Sequence, residues 1–250
     1  MKKIIYISFT IILFSSIIIS CSKIKKTDAE IEREQWINGF TDSIEYYQGV
    51  KQQVEQQLDV LNQEVASMLQ NFEVINNPRE VTGYYLLKGW RKRIPFTSTG
   101  IYLRVNENEK LELIATLGGG TFNRLGVEVG SSVLFSDAVP HDQAFNYRHE
   151  TYNTVYFSGE KADSIAEFIS SHKSQKLTLD FLEGSKKHSF IIPSDEKDMI
   201  STTWNLYSKQ IEIKRLQKDL WIDSKKIETF RRILDMENAH ESNINNQENN

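Results

Sequence analysis

IYLRVNENEKLELIATL, residues 101 to 117, is the stretch on which the fold turns. Ile101 to Val105 and Leu111 to Leu117 are rich in β-branched and apolar residues, and the five residues between them, Asn106 to Lys110, are all polar. A polar connection of that length between two such runs joins antiparallel strands. The middle of the chain is therefore predicted to be sheet. The same alternation continues on both sides, from Val81 to Pro193, and predicts further strands over Tyr84 to Trp90, Leu125 to Val129, Ser132 to Phe135, Asn153 to Phe157, Lys176 to Leu182 and His188 to Ile192. Glu183, Gly184 and Ser185 turn the last pair. A helix starting at Ser158 or Gly159 runs through His172, with Ile165, Phe168 and Ile169 on one face. Residues 81–193 thus read as a β-rich head domain with one helix, α+β in class.

Outside the head the period becomes helical. From Asp28 to Asn77 there is no proline, and Ile37, Phe40, Ile44, Tyr47, Val54, Leu58, Leu61, Val65, Met68, Phe72 and Ile75 step by three and four, with Lys51 filling the one gap. This seam predicts a long helix over 28–77, stopped by Asn76, Asn77 and Pro78. Gly39 and Gly49 each cost roughly 1 kcal/mol inside a helix, which leaves room for a break near Gly49. On the far side, Ser194 or Asp195 is placed to cap a second long helix over 194–237, where Leu206, Ile213, Leu220, Ile227 and Leu234 recur every seven residues. Its companion positions Thr203, Gln210, Gln217, Ser224 and Arg231 are polar, and Tyr207, Leu216, Trp221 and Phe230 widen the seam.

At 1.5 Å per residue the two arms reach about 75 Å and about 66 Å. Similar reach predicts an antiparallel coiled-coil hairpin carrying the head at one end. Pairing between chains, and arms lying flat on the head, are the alternatives. Residues 238–250 are almost all polar and read as a disordered tail.

Hydrophobic residues make up 39% of the chain and charged ones 26%, the balance of an ordinary folded protein. Thirty basic against 34 acidic residues give a net charge of −4, which offers no electrostatic footprint for nucleic acid. One cysteine excludes an intramolecular disulfide framework and a Cys-rich zinc site.

That cysteine sits in an informative place. Met1, Lys2 and Lys3 precede an apolar run from Ile4 to Ile19, which is shorter than the roughly 20 residues that a membrane-spanning helix needs. The run ends in Ile18, Ile19, Ser20 and Cys21. These four resemble the lipobox of bacterial lipoproteins. The resemblance implies a signal peptide over 1–20, cleavage before Cys21, palmitate and other acyl chains on Cys21, and a tether over 21–27 leading into the first helix. Each buried methylene contributes about 0.8 kcal/mol, so several acyl chains would hold the protein firmly on a membrane. It further implies the bacterial cell envelope. Ser22, in place of an aspartate, points to the outer membrane, and the basic and neutral run Ser22 to Lys26 to its periplasmic face. No named domain family is recognised in the mature chain.

Chemistry is sparse. The richest titratable cluster is Asp137, His141, Asp142, Tyr147, Arg148, His149 and Glu150, read as a loop between strands. His141, Asp142 and His149 supply two imidazoles and a carboxylate for a ligand or a metal, yet at no spacing that preorganises them on one helix face. His172 reads as a helix-end charge and His188 as a strand surface residue. Gly118, Gly119, Gly120 and Thr121 offer backbone amides to an anion but lack the lysine and spacing of a phosphate loop. Lys88, Arg91, Lys92 and Arg93, beside Tyr84, Tyr85 and Trp90, read as a charge-protected strand edge. There is no G-x-S-x-G and no other strong catalytic signature.

These features predict a non-enzymatic, lipid-anchored envelope protein whose helical stalk presents a binding or scaffolding head. No cofactor is expected, and its partners are the membrane through Cys21 and a protein or a second copy through the helices. A ligand-binding lipoprotein is the alternative, its aromatics Tyr102, Phe122, Phe145, Tyr147, Tyr152 and Tyr156 holding a glycan or peptide. A metal-assisted hydrolase using His141, Asp142 and His149 is a third reading.

Overall fold

The central hairpin forms as its pattern predicts. Strands β3 (Gly100–Asn106) and β4 (Leu111–Gly118) pair antiparallel, with Leu103 opposite Leu113 and Arg104 opposite Glu112. The computed structural model describes residues 27–76, 82–93 and 99–248, so the signal segment, Cys21 and most of the tether lie outside the described residues. Around this hairpin lie β1 (Phe72–Ile75), β2 (Tyr84–Leu87), β7 (Asn146–Arg148) and β8 (Tyr152–Phe157), giving a six-stranded sheet in the order β1-β2-β3-β4-β8-β7. A second sheet has the order β10-β9-β5-β6, from β5 (Arg124–Val129), β6 (Ser132–Phe135), β9 (Thr178–Glu183) and β10 (Lys186–Ile191). Every pairing in both sheets is antiparallel. Helix α2 (Glu160–Ser171) buries Ala162, Ile165, Ala166 and Ile169 against this framework.

The interior is continuous from sheet to sheet. Ile101, Leu103 and Leu113 share it with Phe122, Leu125, Val127, Leu179, Phe181, Ile165 and Ile200, all fully buried. Phe122 meets Phe181 edge-to-face at 4.8 Å, the geometry that the ring quadrupoles favour.

Helix α1 (Asp28–Leu69) begins with a reciprocal cap: Thr27 Oγ1 accepts the Glu30 N–H at 3.3 Å, and Glu30 Oε2 accepts the Thr27 N–H at 2.6 Å. It runs unbroken through Gly39 and Gly49, so no break occurs there. The seam positions from Ile37 to Met68, Lys51 included, are buried or half-buried, while their neighbours outside the seam are mostly exposed. The helix stops at Leu69, eight residues before the expected end. Phe72 to Ile75, which continue the helical spacing, form β1 instead and pair with β2, Phe72 opposite Leu87. The reason is tertiary: Phe72 becomes 6% exposed beside Val65 and Leu206, and Lys88 Nζ donates to the Gln70 carbonyl at 2.6 Å, a cation on the negative end of α1.

Helix α3 (Ser194–Glu248) corrects a second expectation, because the residues assigned to a disordered tail stay helical to Glu248. Nothing between Asn238 and Glu248 is proline or glycine, and each further residue adds one backbone hydrogen bond once the helix exists. The end is also tied down. Arg33 on α1 donates to Glu237 at 2.9 Å and to Glu241 at 3.2 Å. In the α3 seam Gln217 and Arg231 are exposed, and their neighbours Leu216 and Phe230 turn inward in their place.

Contacts between the two helices run in opposite senses. Glu64 meets Lys209, Tyr47 meets Lys226 and Phe230, Phe40 meets Phe230, and Arg33 meets Glu237. Moving toward the start of α1 is moving toward the end of α3. The first part of α3 crosses the head. Buried Glu196 accepts the Ile101 N–H at the start of β3, and Lys214 reaches Glu109 in the β3–β4 turn at 2.5 Å. Gly118, at the far end of β4, is therefore at the end of the head remote from the paired helices.

Candidate functional site

Cys21, the expected lipidation site, lies outside the described residues. The other three candidates are all placed, and the fold separates them. Asp142 spends Oδ1 on the backbone N–H groups of Ala144 at 2.7 Å, Phe145 at 2.5 Å and Asn146 at 3.3 Å. These bonds, that from Phe145 foremost, hold its carboxyl below the usual range. His141 Nδ1 donates to the Asn146 carbonyl at 2.8 Å. Both residues thus shape the 136–146 loop. Asp142 lines a cavity of about 330 Å³ with Phe145 and Tyr156, whereas His149 belongs to another cleft at the tip of the head. Among the described residues no group of three or more His, Cys, Asp or Glu side chains is placed to hold a metal.

The tip cleft, of about 640 Å³, is assembled from three segments far apart in sequence: Gly119 to Thr121, His149 to Tyr152, and Lys186 to His188. The register explains how they meet. Gly118 pairs with Tyr152 across β4 and β8, and Arg124 pairs with Leu182 across β5 and β9, so the loop from Gly119 to Asn123 bridges the ends of both sheets. Gly119, at φ +71°, turns the chain there. A Cβ on Gly120 would stand 2.8 Å from Leu117 Cδ2, so the close approach of that leucine is what calls for glycine, and His188 Nε2 lies at ordinary contact distance, 3.7 Å, from the same position.

Two buried asparagines fasten this end. Asn153 Oδ1 accepts the Phe122 N–H at 2.8 Å, and its Nδ2 donates to Asn146 Oδ1 at 2.8 Å and to the Tyr147 carbonyl at 2.9 Å. Asn146 in turn donates to the Val139 carbonyl at 2.8 Å. Both side chains are fully buried, and a buried polar network with its partners in place holds loops in one conformation.

Two acids of β9, the strand paired with β10, are already committed. Glu183 accepts from Thr121 Oγ1 and from Arg148, and these contacts, the threonine foremost, hold its carboxyl below the usual range. Asp180 accepts from Ser189 at 2.7 Å and pairs with Lys187 at 2.8 Å. His149 stacks on Tyr152 with ring centroids 4.6 Å apart, and its Nδ1 accepts the Thr151 N–H at 3.3 Å. In the neutral ring the proton is then on Nε2. Lys186 and Glu150 make no ion pair with any described residue.

Two members of the basic cluster near residue 90, Lys88 and Arg93, join helix to sheet. Lys88 closes α1, while Arg93 pairs with Asp195 at the start of α3 and lies 4.2 Å over the Trp90 ring. On β3, Arg104 is 6% exposed, paired with Glu112 at 2.6 Å and set 4.0 Å over the Tyr84 ring.

His188, read from sequence as a strand surface residue, is indeed exposed on β10, and its place in the cleft depends on a pairing that local pattern does not report. The glycine run was the one local signal, without the cations that a phosphate loop carries in its own segment. No family model matches this chain, and neither a curated protein nor a solved structure does.

Proposed function

We propose that the protein is a non-enzymatic lipoprotein of the bacterial envelope, anchored through Cys21 at the periplasmic face of the outer membrane, whose helices α1 and α3 form an antiparallel coiled-coil hairpin presenting the β-rich head to a binding partner. One observation carries the reading: the run of contacts from Glu64 and Lys209 to Arg33 and Glu237 puts the start of α1 at the end of the paired helices away from the head. Cys21 precedes Asp28 by only a short tether. An acyl anchor there would hold the head tens of ångströms off the bilayer, since the 42 residues of α1 rise about 63 Å. Among the described residues no helix is long and apolar enough to cross a membrane.

The test is incorporation of a clickable palmitate analogue in cells that express the full chain. Labelling and sedimentation with membranes are expected for the natural sequence, and both should disappear in Cys21→Ala. An unlabelled natural sequence, or a Cys21→Ala variant that still sediments with membranes, would overturn the anchor. The ligand-binding alternative is favoured by one specific observation, the cleft at the remote end of the head.

A further inference from the structure

We infer that the tip cleft binds a saccharide carrying a phosphate or carboxylate group, with the anion held by Lys186, His149, His188 and the Gly120–Thr121 backbone. The inference goes beyond the anchored-stalk reading and does not depend on it, because every residue involved belongs to the head.

Charge bookkeeping supplies the first step. Two carboxylates of β9, the strand paired with β10, have cations of their own, Glu183 with Arg148 and Asp180 with Lys187, and the carboxylate that lines the cleft itself is Glu150. Lys186 is an exposed ammonium that makes no close ion pair among the described residues, although it stands opposite Glu183 across β9 and β10 and adds to the charges that hold that carboxyl low. An ammonium on the wall of a cleft attracts an anion most strongly where solvent is partly excluded.

Donor geometry supplies the second. His149 Nδ1 is occupied by the Thr151 N–H, which leaves Nε2–H as its remaining donor. The Gly120 and Thr121 amides donate to no described residue, unlike those of Gly119 and Phe122, which bond Thr151 O at 2.9 Å and Asn153 Oδ1 at 2.8 Å. Successive unpaired amides at a glycine turn form an anion-binding concavity, and the ring nitrogen Nε2 of His188 is packed against that turn. Ammonium, imidazole and amide together make the donor set that a multi-oxygen anion satisfies.

The rest of the cleft selects what bears the anion. Glu150 has no hydrogen bond to any described residue and is an acceptor suited to hydroxyl groups. Beside it stand the stacked rings of His149 and Tyr152, both of which line the cleft. A stacked pair of aromatic rings, one acceptor and a cluster of N–H donors match a ring that carries hydroxyls and one negative group. Because the cleft is at the end of the head remote from the paired helices, it faces away from any membrane that anchors the start of α1.

The experiment is calorimetric titration of the detergent-solubilised full chain with glucose 6-phosphate, glucuronate, glucose and inorganic phosphate. Binding of glucose 6-phosphate or glucuronate at least roughly tenfold tighter than glucose, and tighter than inorganic phosphate, is expected. Lys186→Gln and His188→Gln should each weaken that binding by roughly tenfold, with unchanged thermal melts because both side chains are exposed, and Lys218→Gln on α3 should leave it unaltered. Absence of binding, equal affinity for glucose, or full affinity in Lys186→Gln would overturn the site. Equal affinity for inorganic phosphate would overturn the saccharide assignment. Palmitate labelling reads the anchor independently, so the two failures are distinguishable.

Discussion

Glu196, in the first turn of α3, accepts the Ile101 backbone N–H at 3.0 Å while only 3% exposed. This one bond fastens the longest helix to the first residues of the central hairpin. Burial pushes the carboxyl up to about 7, although the Ile101 N–H and Arg93 oppose the shift. A folded-state value above the ordinary one means that the folded protein holds the proton more tightly than the unfolded chain. The resulting stability is full below about pH 4.5 and is lost as pH rises through 7. The loss amounts to about 3 kcal/mol. Glu196→Gln keeps an acceptor for Ile101 and removes the charge. It should melt several degrees above the natural chain at pH 8, and the difference between the two should shrink toward pH 5. Parallel melting curves at both pH values would refute this.

Arg104→Ala should destabilise the head by about 3 kcal/mol, because Glu112 would be left half-buried without its cation and Tyr84 without the guanidinium beneath it. Adding Glu112→Gln should recover part of the loss. Equilibrium unfolding in urea measures both.

Asn153→Ala removes the partner of the Phe122 N–H, the Tyr147 carbonyl and Asn146 at once, at an expected cost of about 3 kcal/mol or more. Because these groups hold the tip, amide hydrogen exchange should accelerate around residues 119–123 and 146–152 in this variant while α1 keeps its protection.

The pairing of α1 with α3 makes a covalent prediction. In a Cys21→Ala background, Arg33→Cys with Glu237→Cys should be joined within one chain by a bismaleimide reagent of about 10 Å reach, because side chains of this length meet at their tips, and should migrate as a monomer. A ladder of dimers would mean that the helices pair between chains.

Leu58 and Leu220 belong to the seams of the two helices, yet they are not equivalent. Leu58 is 8% exposed and Leu220 only half-buried. Leu58→Asp should therefore lower helicity and melting temperature clearly more than Leu220→Asp, the difference reflecting how completely each charge is removed from water.

Much of the framework was legible because side-chain period and turn composition are local. The hairpin around Asn106 to Lys110, the turn at Gly184, helix α2 and the α1 seam all follow from residues within a dozen positions of one another. The errors fall where local pattern was ambiguous. Phe72 and Ile75 satisfy a helical step and a β-rich composition equally well, and the docking of Phe72 beside Leu206 decided for strand. The polar end of α3 had no apolar signal, and its helix is continued by backbone bonding and by Arg33. Asn146 to Arg148 looked like loop because a strand of three residues has almost no period to read.

The candidate site divides the same way. His141, Asp142 and His149 are close in sequence, and the fold sends Asp142 to one cavity and His149 to another. His149 meets His188 and Lys186 instead, across nearly forty positions of chain. The sequence by itself determined the elements, their buried faces and the single cysteine available for an anchor, since periodicity records which side of an element avoids water. Only the tertiary structure decided which element covers each face, and with it the strand orders, the end of α1 and the company of His149, because an apolar stripe or a strand edge states that it needs a partner without stating which one.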